Sequence, residues 1–180
     1  MKNREPPTPK PRCPQHMTGP KPLGLTELVI ASTSGDTAYK ALEQFKGFNI
    51  TSVTHHAGFK EPFKSLMEEE VRRDLEAKGV RVISATHALS GVERSIAKKF
   101  GGCPPALLMA ATLKLFGQGV KVAVEIAIMA TDAGHLSGED IIAIGGSAKG
   151  ADAALVVKPA GQSDIFDMRV REIICKPRLF

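Results

Sequence analysis

From Leu25 onward, short apolar runs alternate with segments whose apolar residues recur at helical spacing, and this alternation constrains the fold more than any other feature. Leu28-Val29-Ile30-Ala31 is the first run, and Ala38, Ala41, Leu42 and Phe45 follow with a period of three to four until Gly47. The second run, Ile50–Thr54, leads to a predicted helix over about Pro62–Lys78. Met67, Val71 and Leu75 make its apolar stripe, with Glu68–Arg72 and Glu69–Arg73 paired on its wet side. Val80–Ala85 is the third run. Ser90-Gly91-Val92-Glu93 then has the form of a capping box, and Val92, Ile96 and Phe100 are expected to be the buried face of the helix it opens. Ala106–Phe116 and Val120–Ala133 read as two apolar helices, or as one broken at Gly117-Gln118-Gly119. Ile141–Ile144 and Leu155–Val157 are further strands. Phe166, Met168 and Val170 alternate with charged neighbours as a half-buried edge strand would.

Strands alternating with helices imply an α/β fold: three layers, a mostly parallel sheet, helices on both faces. The last strands stand too close together for a helical crossover, so an antiparallel edge is expected. The 180 residues suit one domain, assigned to 23–180. Residues 1–22 hold seven of the twelve prolines, which lack the N–H a ladder needs, and are expected to be a disordered tail. This tail also explains the net charge of +5: Lys2, Arg4, Lys10, Arg12 and Lys21 face Glu5 alone, and the remainder is nearly neutral. With no basic face and only 5% aromatic residues, nucleic-acid binding is not expected. The most apolar stretch, Pro104–Ala133, is interrupted by charges and glycines, whereas a membrane span needs about 20 uninterrupted apolar residues. Three widely spaced cysteines give neither a disulfide framework nor a zinc pattern, which points to a reducing, cytoplasmic setting.

Four of the runs end in clusters of Ser, Thr, His and Gly: Ser32–Gly35, Thr54–Gly58, Thr86–Gly91 and Gly145–Gly150. In an open α/β sheet, ligands bind beyond the carboxyl ends of the strands, so these clusters are expected to converge on one crevice. Ser32-Thr33-Ser34-Gly35-Asp36-Thr37 opens directly into a helix. Unpaired amides, the positive end of the helix dipole and the hydroxyls of Ser32, Thr33, Ser34 and Thr37 suit a phosphate, and Gly35 would let the backbone approach it. Asp36 opposes an inward-facing anion. The alternative is that Ser34 or Asp36 simply caps the helix.

His55, His56 and His87, at two strand ends, offer hydrogen-bonding or acid/base groups, and their spacing is not that of a zinc site. Glu125 lies four residues after Lys121 in an apolar run. An ion pair between them is the simpler reading, and a carboxylate facing the crevice the other. Gly145-Gly146-Ser147-Ala148-Lys149-Gly150 is no Walker loop. It reads either as a turn or as a strap that brings Lys149 to an anion. Gly117-Gln118-Gly119 is either a helix break or a backbone surface for a flat ligand.

With these residues in place, the chain resembles the C-terminal α/β domain of pyruvate kinase, whose Ser-Thr-Ser-Gly-x-Thr loop holds one phosphate of a sugar bisphosphate effector. Ser32–Thr37 matches that loop, and Gly138–Gly150 resembles the glycine-rich element that closes over the effector. It is similar more closely to the stand-alone, mostly archaeal proteins with a pyruvate kinase C-terminal-like fold. Thr54–Phe59, Ala85–Arg94, Phe116–Val122 and Ala143–Gly146 carry their motifs, over about Leu25–Arg178. The resemblance implies flavin mononucleotide (FMN) as the ligand, held by Ser32, Thr33, Ser34, Gly35, Thr37, His55, His56, Gly58, Thr86, His87, Gly117, Gln118, Gly119, Gly145, Gly146 and Lys149. It attaches no activity. The pyruvate kinase catalytic barrel is absent, so that activity is not expected. The family's usual N-terminal helical segment is replaced by the Pro-rich tail. The remaining expectations are a sensor for a phosphorylated metabolite such as a sugar phosphate, or an enzyme using His55, His56, His87 or Glu125. Assembly as a homo-oligomer stays open.

Overall fold

The structure, a computed structural model, describes residues 24–147 and 150–179. The predicted tail over residues 1–22 and Lys149 lie outside the described residues. Six strands form one sheet: β1 (Glu27–Ala31), β2 (Asn49–Thr54), β3 (Arg81–Ser84), β4 (Ile141–Gly145), β5 (Ala153–Lys158) and β6 (Arg169–Cys175). Their order is β3-β2-β1-β4-β5-β6. The first four are mutually parallel, and β5 and β6 add antiparallel, as the short connections require.

The helices are α1 (Asp36–Gln44), α2 (Glu69–Ala77), α3 (Gly91–Phe100), α4 (Pro105–Leu113) and α5 (Gln118–Asp132). Side chains alternate across a strand, and this divides the core in two. Leu28, Ile30, Ile142 and Ile144 point to one face, where α1 and α2 cover them with Ala38, Ala41 and Leu75. Val29, Ile141, Ala143 and Leu155 point to the other, beneath α5 and Ala110 of α4. The architecture is therefore the expected three-layer α/β fold. Helix α5 has eleven buried residues, which fits a helix apolar on nearly every side. The glycine at 117 breaks the apolar stretch into two helices: its φ of 114° and ψ of 148° suit glycine alone.

Several local expectations are corrected. Helix α2 begins at Glu69 rather than near Pro62. Residues 58–64 instead form a loop closed by the Gly58 amide on the Lys64 carbonyl, with Phe63 at positive φ. Glu68 is the N-cap, extended at its own φ and ψ with its carbonyl accepting the Arg72 amide; the Arg72 side chain pairs with Glu76 instead of Glu68, while Arg73–Glu69 forms as expected. The capping box does not form. Ser90 makes no side-chain cap bond, and Glu93 Oε2 accepts the Ala106 amide at 2.8 Å. That amide is one of the unpaired donors in the first turn of α4, which opens on Pro105. Helix α3 buries none of its residues: Val92 is 70% exposed, Ile96 45% and Phe100 76%. The last strand begins at Arg169. Phe166 lies before it in a 3-10 turn, Gln162–Asp167, and is exposed.

Candidate functional site

Because β3, β2, β1 and β4 are adjacent and parallel, the four clusters at their carboxyl ends lie side by side along one edge. The chain runs outward from β1 to β2 and β3, then returns to β4 on the other flank of β1. The direction of winding thus reverses between β1 and β4, the place where open α/β sheets form a crevice.

The loop after β1 is built in two layers. Ser32 is buried: its amide donates to Val53 O, and its Oγ accepts the Ala38 amide at 3.4 Å. The N-cap of α1 is Gly35, in the left-handed region and with no side-chain cap bond, so neither Ser34 nor Asp36 caps the helix, and Ser32 Oγ meets the Ala38 amide from outside it. Gly35 is buried at φ 99°, and a Cβ there would lie 2.5 Å from Val71 Cγ1, so close packing on α2 requires this glycine. Thr33, Ser34 and Asp36 are exposed and Thr37 half-buried. The Ser34 hydroxyl donates to the Asp36 carboxylate at 2.9 Å, which holds that carboxylate on the outside of the loop. The helix ladder begins with Tyr39 N donating to Gly35 O. Among the described residues the amides of Asp36 and Thr37 have no acceptor.

The next two strand ends carry a cluster of rings. His55 lies over Phe59 with centroids 3.9 Å apart, and His87 is 5.3 Å from both His55 and His56. The loops are tied together. Thr54 Oγ1 donates to Thr33 O at 3.0 Å, Ser84 Oγ donates to His55 O at 2.8 Å, and Thr33 Oγ1 lies 3.3 Å from His55 Nδ1. Burial pushes the His87 imidazole down from 6.5 to about 4, with the neighbouring histidines adding to the shift and Glu125 opposing it. Burial, then His56, also lowers His55. Both rings are therefore neutral at physiological pH. Among the described residues no three His, Cys, Asp or Glu side chains come together as a metal-binding set.

The sign of the resulting pH dependence follows from proton counting. Between about 4 and 6.5 the unfolded chain binds a proton that folded His87 does not. Stability is therefore full above that window and declines as the pH falls through it. The expected result is a falling Tm over this range, with the fall reduced in His87→Gln. Ring chemical shifts followed by NMR should show His87 titrating well below an exposed histidine. A His87 midpoint near 6.5 would contradict the buried setting.

Glu125 is buried and fully engaged. Its Oε2 pairs with Lys121 and its Oε1 accepts the Leu89 amide at 3.0 Å. The ion-pair reading holds, and each carboxylate oxygen has a partner inside the chain. Gly117, Gly119 and Gly145 are also buried, with Gln118 half-buried. A Cβ at Gly119 would strike Asp152 and one at Gly145 would strike the backbone of α5, so these glycines serve helix–strand contact rather than a flat ligand. Gly146 is half-buried against Gly150 O, and Ser147 N donates to Asp152 Oδ2 at 3.0 Å, closing the loop after β4. Gly58 bends the ring-bearing loop at φ 86°. Exposed Thr86 packs its methyl against Gly91 at the start of α3.

Beyond His87 the crevice continues as a cleft of about 530 Å³ between the 85–93 loop and the end of α5. Its polar lining is Thr86, His87, Ser90, Glu93, Asp132 and Gln162. Ser90 is 5% exposed, and its hydroxyl has no bonding partner among the described residues. Two site residues were not singled out from the sequence. Phe59 belongs to the His-His-x-Gly-Phe stretch, but nothing in the spacing shows that its ring turns back onto His55. Ser90 reads as a cap, and only the fold shows that it lines the cleft. Comparison with known protein families finds none that this chain matches.

Proposed function

We propose that the protein binds FMN, with the phosphate on the Thr33–Thr37 loop and the flavin ring against His55, Phe59 and His87. The observation that carries this reading is the 3.3 Å contact between Thr33 Oγ1 and His55 Nδ1, which joins an anion-accepting helix start to an aromatic platform. A ligand with a phosphate at one end and a flat ring at the other has both requirements met along one edge of the sheet. The donor set fits: the amides of Asp36 and Thr37, the hydroxyls of Thr33 and Thr37, and the helix dipole favour a dianion. Neutral imidazoles beside Phe59 offer ring faces without a competing charge. When bound, the flavin supplies hydride and one-electron chemistry, and the chain's residues bind and orient it. The resemblance to the stand-alone pyruvate kinase C-terminal-like proteins supports the same ligand.

Titration of the full chain with FMN should quench flavin fluorescence and raise the Tm. Riboflavin, lacking the phosphate, should bind far more weakly. Thr33→Val and Thr37→Val should each weaken FMN binding about tenfold or more, the usual effect of losing a hydrogen bond to a charged group. Asp36→Asn should tighten it by removing a like charge. A chain that takes up no FMN, or binds riboflavin equally well, overturns this reading. A sugar phosphate is the second reading, supported by the polar cleft, where Ser90, Glu93, Asp132 and Gln162 suit sugar hydroxyls. Stabilisation by sugar phosphates and not by FMN would favour it.

A further inference from the structure

We infer that two copies of this chain pair by inserting α3 of each into an apolar groove beside α4 of the other. Three observations on adjacent elements carry the inference. The first is the stripe Val92, Ile96 and Phe100, spaced four residues apart and exposed on a helix none of whose residues is fully buried among the described residues. A helix this short is marginal alone in water and depends on packing its apolar face. The second is a groove of about 430 Å³ between α4, α5 and the start of β6, lined by Leu108, Met109, Leu113, Val124, Met168 and Val170. Leu108 and Val170 are 58% and 45% exposed, and Phe166 at the rim is 80% exposed. A contiguous exposed apolar surface of this kind marks an interaction site.

The third observation names the occupant. Helix α3 carries Arg94, Lys98 and Lys99, and the rim of the groove carries Asp164 and Asp167 on the 3-10 turn. All five are exposed, and none belongs to an ion pair among the described residues. Of the cations that follow this turn, Arg169 donates to Phe166 O, and Arg171 pairs with Asp140. The projecting helix and the groove are thus matched in polarity and opposite in charge, and both belong to the same chain on either side of α4. A two-fold axis that places α3 of one copy in the groove of the other also makes the reciprocal contact, as an isologous dimer requires. Aromatic and aliphatic anchors then sit at the centre and charges at the rim, the usual anatomy of an interface.

The test is sedimentation velocity of the full chain over a range of protein concentrations. The native chain should be a dimer that weakens as salt is raised, because the rim pairs are screened. Phe100→Ser and Ile96→Ser should weaken association by about a hundredfold or more, as truncated hot spots do. Both side chains are exposed in the single chain, so the circular dichroism of the dilute variant should be unchanged. Lys98→Glu with Lys99→Glu should also give monomers, and so should Asp164→Lys with Asp167→Lys. All four changes together should restore the dimer. A monomeric native chain overturns the inference and leaves the groove to the chain's own N-terminal residues or to another partner. A dimer that survives Phe100→Ser and both charge reversals overturns it equally, since the pairing then runs through a different surface.

Discussion

Replacing Glu125 by alanine is expected to destabilise the fold by about 3–5 kcal/mol, the range for removing one partner of a buried ion pair. Both side chains of the Lys121–Glu125 pair are almost wholly buried, at 5% and 6% exposure. Burial already pulls the Lys121 ammonium below its ordinary pKa, and Glu125 is the group that opposes the fall. Alanine leaves that ammonium buried and uncompensated, and it strands the Leu89 amide that Oε1 accepts. Glu125→Gln keeps an acceptor for Leu89 and should cost less than alanine. Lys121→Met with Glu125→Gln removes both charges and should recover most of the loss. Urea denaturation with an unchanged m-value measures this ordering. A further consequence separates the pair from an ordinary core contact. Leu89 is two residues from His87, so losing its anchor should also loosen the ring cluster and, on the proposed function, weaken FMN binding. If Glu125→Ala costs under about 1 kcal/mol, the pair is not held as described.

The sheet and its layers were legible because two patterns do not overlap: short continuous apolar runs in Leu28–Ala31 and Ile141–Ile144, as strands buried on both faces show, and a period of three to four in Ala38–Phe45. The antiparallel edge followed from connection length alone. The errors share a physical origin. The stripe Val92, Ile96 and Phe100 was read as core because periodicity reports an apolar face, not what covers it. The capping box at Ser90 failed because Glu93 had a competing donor, the Ala106 amide, thirteen residues away in sequence. Phe166 was drawn into β6 by alternation, while the chain turns through a 3-10 segment there before pairing begins at Arg169. At the site, sequence placed the strand-end clusters correctly along one edge but could not divide exposed from buried members. Ser32 and Ser34 are two residues apart and identical in type. One is buried and accepts the Ala38 amide, and the other is an exposed partner of Asp36.

Gly145→Ala is the second change with a large expected effect, and it tests why the crevice is rich in glycine. At the end of β4 an added Cβ would collide with the Gly119 carbonyl and lie 2.7 Å from the Ala123 amide, both part of the α5 backbone. Neither atom can rotate away, so α5 must move off the sheet and carry its eleven buried residues with it. The expected cost is about 3 kcal/mol or more, at or above the upper end for overpacking a tight core. Gly119→Ala should cost less. Its main obstacle is the Asp152 carboxylate, a side chain that can swing by giving up its bond from Ser147, though Ala153 Cβ at 2.9 Å limits the relief. Gly138→Ala is the control: its φ of 93° strains an alanine, but no atom lies within 4 Å of the added Cβ. It should cost about 1–2 kcal/mol, the backbone price of a left-handed alanine alone. All three losses should appear in thermal melts of the chain without any ligand, because the contacts are internal. If Gly145→Ala melts with the native chain and only FMN binding suffers, the glycine serves the ligand instead. The ordering Gly145, Gly119, Gly138 would show that glycine at the fourth strand end lets α5 lie directly on β4.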